Sequence, residues 1–242
     1  MRSPHPLVAA ADDLNAALRP LRFADPVHTV YNPLEYAAAP HLAYLERYGT
    51  GTARVVFLGM NPGPFGMAQT GVPFGDPALV RDFLQINGPV NQPERVHPKR
   101  PIIGCEATRG EVSGRRLWSA IRDHWPSADA FFESHYVANY CPLAFMEESG
   151  RNRTPDKLPR EEREPLFAAC DAHLRQVVEA LQSEWVIGIG RFAEKRAKLA
   201  LTGLDVRIET VLHPSPASPA ANRDWIGKVT AQLQDMGLCD SC

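Results

Sequence analysis

No stretch of this 242-residue chain reaches the ~20 consecutive apolar residues that span a bilayer, so no membrane partner is expected. The opening Met1-Arg-Ser-Pro-His-Pro lacks the apolar core of a secretion signal. Cysteine is scarce: Cys105, Cys141, Cys170, Cys239 and Cys242 form an odd set without regular spacing. That pattern argues against a disulfide framework and for reduced thiols inside a cell, cytoplasmic or nucleoid-associated in a bacterium, nuclear in a eukaryote. Cys239-x-x-Cys242 has the local spacing of cluster ligands, but no second pair exists, so a metal or iron–sulfur reading is set aside. A basic excess is also missing. The 26 Lys and Arg are outweighed by 28 Asp and Glu, which by itself counts against nucleic-acid binding. Local runs soften this: Arg95, Lys99, Arg100, Arg109, Arg115 and Arg116 fall within one short stretch. Solvated surface charge is the first account of such a run, and a rim facing phosphates is permitted beside it.

What the chain does have is a set of buried strands. Arg54–Leu58, His135–Tyr140, Trp185–Ile189 and Arg207–Leu212 are short, apolar and rich in Val, Ile and aromatics. Helical patterns separate them, which is the signature of βαβ units and a parallel sheet. Asp76-Pro77 reads as an N-cap with proline at the first helical position, in a helix running to Gly88. Leu166, Cys170, Leu174, Val177, Val178 and Leu181 recur at three- and four-residue spacing and predict a long amphipathic helix. Ser218-Pro219 starts a last helix through Trp225, Val229 and Leu233. At 44% apolar composition the chain reads as a single α/β domain over residues 1–242, with residues 1–25 and 237–242 peripheral.

The richest segment is Gly59–Gly75, five glycines and three prolines directly after the first strand. Such a run leaves regular structure and opens a shaped loop at the strand's carboxyl end, where open α/β sheets place their ligands. Asn61 follows the first strand, Asn139 ends the second, Gly190-Arg191 end the third and His213 follows the fourth. In a parallel sheet all of them meet at one crevice, with Phe65 and Phe74 nearby. The expected lining is amides, an imidazole and phenyl rings, without carboxylates. A strong general base and hard metal ligands are then missing, and no Ser or Cys sits in a nucleophile elbow. What remains suits a dissociative cleavage, in which a good leaving group departs and the protein stabilises the separated charges.

The same residues carry a resemblance. Gly59–Gly75, Asn91-Gln-Pro93, His97-Pro-Lys-Arg-Pro101, Glu111-Val-Ser-Gly114, Asn139-Tyr-Cys-Pro-Leu143, Gly190-Arg191 and His213-Pro-Ser-Pro216 are similar, in order, to motifs of the single-strand-selective monofunctional uracil-DNA glycosylases. The likeness spans roughly residues 28–236. It implies a three-layer α/β/α fold around a mainly parallel four-stranded sheet, and hydrolysis of the N-glycosidic bond of uracil in DNA. His213 would donate a hydrogen bond to the carbonyl oxygen of the leaving base, and Asn61 would hold the attacking water. Asn139 would read the Watson–Crick edge, and Phe74 would stack on the extruded ring. Gly63 replaces a bulky tyrosine of the uracil-restricted relatives and opens room beside C5. That implies acceptance of C5-modified uracils such as 5-hydroxymethyluracil, with thymine rejected through an ordered water beside Gly63 and Met60. The segment Pro214, Ser215, Pro216, Ala217, Ser218 would wedge into the strand, with Lys99 and Arg100 as further phosphate contacts. At Ala217 the sequence departs from the vertebrate pattern, which has an arginine, and alanine is too small to fill the vacated space alone. The implied partner is uracil-containing DNA, single-stranded first and duplex second, met by a monomer without metal or cofactor.

Two other readings stand beside this one. Glycine-rich loops after strands also cradle phosphates, although Gly59–Gly66 lacks both the Gly-Lys-Ser/Thr ending and the dinucleotide spacing. A catalytically weak lesion-binding protein would use the same pocket without cutting.

Overall fold

A computed structural model describes residues 5–238; Cys239 and Cys242 lie outside that range. In chain order the elements begin with α1 (Pro6–Leu18), β1 (Val27–Tyr31), α2 (Pro33–Tyr36), α3 (Ala38–Tyr48) and β2 (Val55–Gly59). Next come α4 (Met67–Thr70), α5 (Pro77–Asp82), α6 (Val112–His124), α7 (Ala128–Phe132) and β3 (His135–Asn139). The chain ends with β4 (Ala144–Glu147), β5 (Asn152–Arg153), α8 (Arg160–Leu181), β6 (Trp185–Ile189), α9 (Arg191–Ala200), β7 (Arg207–Val211) and α10 (Pro219–Asp235).

The four expected strands form one parallel sheet in the order β3-β2-β6-β7. Every residue of β2 and β6 is buried, as strands covered on both faces must be. Phe57 and Ile189 point towards α6 and α10, whereas Gly188 faces α9, so helices cover both faces of the sheet. The fold is therefore the expected three-layer α/β/α arrangement. A second, antiparallel sheet of order β1-β4-β5 was not legible in the sequence. It matters because its last strand flanks the crevice described below.

Two sequence expectations need correction. From residue 5 on, the N-terminal segment is not peripheral: α1 buries Leu7, Ala10, Ala11, Leu14 and Leu18, and most of these join the main core. His173 on α8 meets the Ala10 carbonyl at 3.1 Å and reinforces that packing. At the other end, Leu238 also packs against the core. The helix after Asp76-Pro77 is capped as expected, with the Asp76 side chain accepting from the Leu79 amide. It stops at Asp82 rather than running to Gly88, because Gln85 takes a left-handed conformation (φ 53°) and the Ile86 amide turns back onto Val80. The long helix α8 covers its predicted positions. The last helix starts at Pro219 with Ser218 as its cap and kinks at Asp224.

Candidate active site

The carboxyl ends of β2, β3 and β7 open into one cavity of about 360 Å³. It is lined by Met60, Asn61, Pro62, Gly63, Phe74 and Asn139, together with Glu111, Asn152, Thr154, His213 and Ser215. The parallel register explains how residues so far apart in sequence meet. Gly59 lies opposite Asn139, and the pairing continues past the strand ends through Tyr140 N–H to Gly59 O and Cys141 N–H to Met60 O, both at 2.9 Å.

The Asn61 amide is oriented by its own donors. Its NH₂ group donates to the Leu143 carbonyl at 3.1 Å and more weakly to Pro62 O at 3.4 Å. The carboxamide oxygen remains as the group able to hold a water. Asn139 is anchored from the other side, its NH₂ 3.3 Å from the Met67 sulfur. Gly59 makes this arrangement possible. A Cβ there would overlap both the Asn139 side-chain oxygen and the Phe74 ring.

Phe74 is held in a left-handed backbone conformation (φ 54°), an uncommon and costly state for a residue with a side chain. What holds it there is visible around it. The Gly114 backbone packs against its carbonyl, and the Trp118 indole N–H donates to Pro73 O at 3.2 Å. Thr70 Oγ1 donates to the Gly75 carbonyl at 3.1 Å. Gln69 ties the rest of the loop. It donates to Pro64 and Pro101 carbonyls and accepts from the Ile103 and Gly104 amides.

His213 sits two residues beyond β7, its ring centroid 6.5 Å from that of Phe74. Gly190, at φ 93°, takes a left-handed conformation beside it, and a Cβ there would come within 3.3 Å of the His213 Cβ. Burial lowers the His213 pKa, so the ring is neutral at pH 7 and presents one N–H. The loop that follows is fastened to α6: Arg116 donates to the Pro214 and Ser215 carbonyls at 3.1 and 3.4 Å and to Asn222 at 2.8 Å. Ser215 lines the cavity, Pro214 is buried, and Pro216 and Ala217 are exposed at its rim. Ser218 spends its hydroxyl oxygen on the Ala221 amide as the cap of α10.

The structure thus gathers Met60, Asn61, Gly63, Phe74, Asn139, His213 and Ser215 at one mouth. Lys99 and Arg100 do not line it. They belong to a turn beside it, where Lys99 donates to Glu148 O at 3.4 Å. The Arg100 guanidinium lies 5.4 Å from the Phe65 ring centroid, and Arg109 lies 3.9 Å from the same ring. Their placement is a basic flank, one step removed from the pocket.

The expectation of a lining without carboxylates is overturned. Glu111 projects into the cavity, and burial first, then the nearby Asp76 carboxylate, raises its pKa to about 7. The space beside Gly63 is also not empty: a Cβ there would come within 2.7 Å of Glu111 Oε1. Sequence reasoning missed Asn152 and Thr154 as well. They come with β5, where Asn152 donates to the Pro62 carbonyl at 3.2 Å. The signal for Glu111 was available, since it opens one of the shared motifs, but an acid in front of a helix reads first as a capping residue.

Comparison with known proteins gives the family. Residues 46–234 match the family described as the Uracil DNA glycosylase superfamily. The single-strand selective monofunctional uracil DNA glycosylase of Mus musculus is 50% identical over 227 residues, 93% of this chain and 81% of the mouse protein. Those of Bos taurus and Rattus norvegicus are 49% and 50% identical over the same share of this chain, covering 84% and 82% of their own lengths. The crystal structure of wild-type SMUG2 from Pedobacter heparinus superposes with a TM-score of 0.64 at 20% identity, covering 95% of this chain and 99% of that one. At that identity the likeness speaks for the fold alone. The chain belongs to the uracil DNA glycosylase superfamily, in its single-strand-selective monofunctional branch. As a member it is a hydrolase of N-glycosyl bonds.

Proposed function

We propose that this protein is a monofunctional DNA glycosylase that extrudes uracil, and C5-modified uracils such as 5-hydroxymethyluracil, and hydrolyses the bond to deoxyribose, leaving an abasic site. One observation carries the reading: the Asn61 amide, the Asn139 amide, the Phe74 ring and a neutral His213 line a single cavity at the strand ends. In the reaction the C1′–N1 bond breaks first, and its electron pair leaves with the base as a delocalised anion. His213 N–H donates to the carbonyl oxygen on which that charge grows. A neutral ring suits this role, because a hydrogen bond stabilises the anion without requiring proton transfer. The sugar is left cationic at C1′ and is attacked by the water held on Asn61. Hydrolysis adds hydroxyl to C1′ and a proton to the base. No lysine lines the cavity, so an imine with the sugar and strand cleavage are not expected.

DNA is the partner the family assignment supports. The basic flank of Arg100 and Arg109 around Phe65 and the exposed turn Pro216-Ala217 border the mouth that a strand must cross. Ala217 offers little bulk to fill a gap in a duplex, which favours single strands. A labelled oligonucleotide with one uracil, incubated with the protein, treated with alkali and run on a gel, tests the proposal. The expected result is cleavage at uracil only after alkali. An intact strand after alkali overturns the reading, and a nick without alkali overturns the monofunctional part of it.

A further inference from the structure

Glu111 is the only charged side chain among the described residues lining the cavity, and the reaction above assigns it no task. It occupies the position before α6 in an extended conformation, yet its side chain makes no capping bond to that helix. The carboxyl turns away from the helix end into the strand-end cavity. Two bare glycines receive it: a Cβ at Gly63 would crowd Oε1, and one at Gly66 would overlap Oε2. Behind it stands Asp76, whose carboxylate is held by the Leu79 amide and by Arg115 at 3.4 Å. Arg115 bridges to Asp76 and so offers Glu111 no cation of its own.

The shape of a pyrimidine says what lies against this wall. With the leaving carbonyl oxygen on His213, the Watson–Crick edge on Asn139, the ring face on Phe74 and the sugar near Asn61, only the C5–C6 edge is left. That edge faces the remaining wall of Met60, Gly63 and Glu111. We infer that Glu111 is a specificity-determining residue that reads the substituent at C5, pairing with a hydroxyl-bearing group and disfavouring a methyl. A carboxyl in its neutral form both donates and accepts, which matches a hydroxymethyl group on both counts. A methyl in the same place leaves the carboxyl facing an apolar group, and a polar site rejects a partner lacking its hydrogen bond far more strongly than an apolar one does. The raised pKa of Glu111 supports this, since below pH ~7 the carboxyl is neutral and does not repel the leaving anion. The inference rests on the glycosylase reading.

The test is single-turnover excision of uracil, 5-hydroxymethyluracil and thymine from one single-stranded sequence by the full-length protein and its variants. In Glu111→Met the ratio of 5-hydroxymethyluracil to uracil excision is expected to fall about tenfold or more, and the thymine to uracil ratio to rise. Glu111→Gln keeps a donor and an acceptor and is expected to hold most of the hydroxymethyl ratio. Gly63→Ala, which displaces the carboxyl without altering it, is expected to lower that ratio too, and serves if the methionine variant does not fold. Unchanged ratios in Glu111→Met or Gly63→Ala overturn the inference, as does an equal loss in the glutamine and methionine variants. Wild-type protein that leaves uracil in place overturns the glycosylase reading instead, so the two failures are distinguishable.

Discussion

Two of the molecule's cavities are similar in size and opposite in character. One of about 310 Å³ lies between α6, α10 and the sheet, walled by Phe57, Leu117, Ile121, Trp225, Val229 and Leu233. The other, about 360 Å³, sits at the strand ends and is lined by three asparagines, a histidine, a glutamate and a threonine around Phe74. Volume does not separate them; the source of the walls does. Helix faces built on three- and four-residue repeats present one apolar stripe each, so a gap between them is mainly apolar, with His124 and Thr230 as its polar exceptions. Strand ends give the chain a reason to leave regular structure, and the loops that follow bring polar groups together from distant positions. The same contrast holds for enclosed carboxylates. Asp171 on α8 is paired with Arg196 and accepts from the Tyr140 hydroxyl at 2.7 Å. Glu111 has no such partner, and burial first, then the neighbouring Asp76 carboxylate, raises its pKa. A paired charge belongs to the scaffold, and an unpaired one facing a cavity is available to a ligand.

The contrast can be broken most severely at His213. Replacement by alanine is expected to slow single-turnover uracil excision ~10²–10³-fold, the usual effect of removing one donor to a developing anion. A loss below tenfold, with the fold intact by circular dichroism, would remove the imidazole from the mechanism. Gly59→Ala comes next. Its methyl group would displace Asn139 and Phe74 together, so excision is expected to drop ~10²-fold while stability falls by about 1–3 kcal/mol, as for overpacking generally. Wild-type rates in this variant would mean that the two side chains do not hold the base.

A pH titration sharpens the carboxylate half of the comparison. The Glu111 pKa is higher in the folded protein than in an unfolded chain, so its contribution to stability is fully present at low pH and is lost as pH rises through about 7. The difference in thermal stability between wild type and Glu111→Gln is therefore expected to shift against wild type from pH 5 to pH 8, by at most about 3 kcal/mol. A constant difference would put the carboxyl in water. The mildest test lies in the apolar cavity: Leu233→Ala is expected to cost about 2 kcal/mol in denaturant unfolding and to leave excision by the folded protein unchanged. Slower excision there would tie the second cavity to the first.

Which of these features the sequence revealed follows from their physics. The four parallel strands were legible because burial on both faces makes them continuously apolar, and their register placed Asn61, Asn139 and His213 correctly. The strand β5 was not, since two residues cannot show a period of two, and with it Asn152 and Thr154 were missed. The buried stripe of α1, Leu7, Ala10, Ala11, Leu14 and Leu18, has helical spacing, but the two alanines at its centre weaken the apolar signal. Glu111 was overlooked for a different reason. An acid directly before a helix has an ordinary use as a cap, and only the fold shows that α6 begins at the cavity wall.

The most direct test is a crystal of the protein soaked with free uracil. The ring is expected on Phe74, with one edge on the Asn139 amide, a carbonyl oxygen within hydrogen-bond distance of the His213 imidazole and C5 towards Gly63 and Glu111. Uracil bound instead between α6 and α10, or in the strand-end cavity without touching His213 or Asn139, would contradict the account.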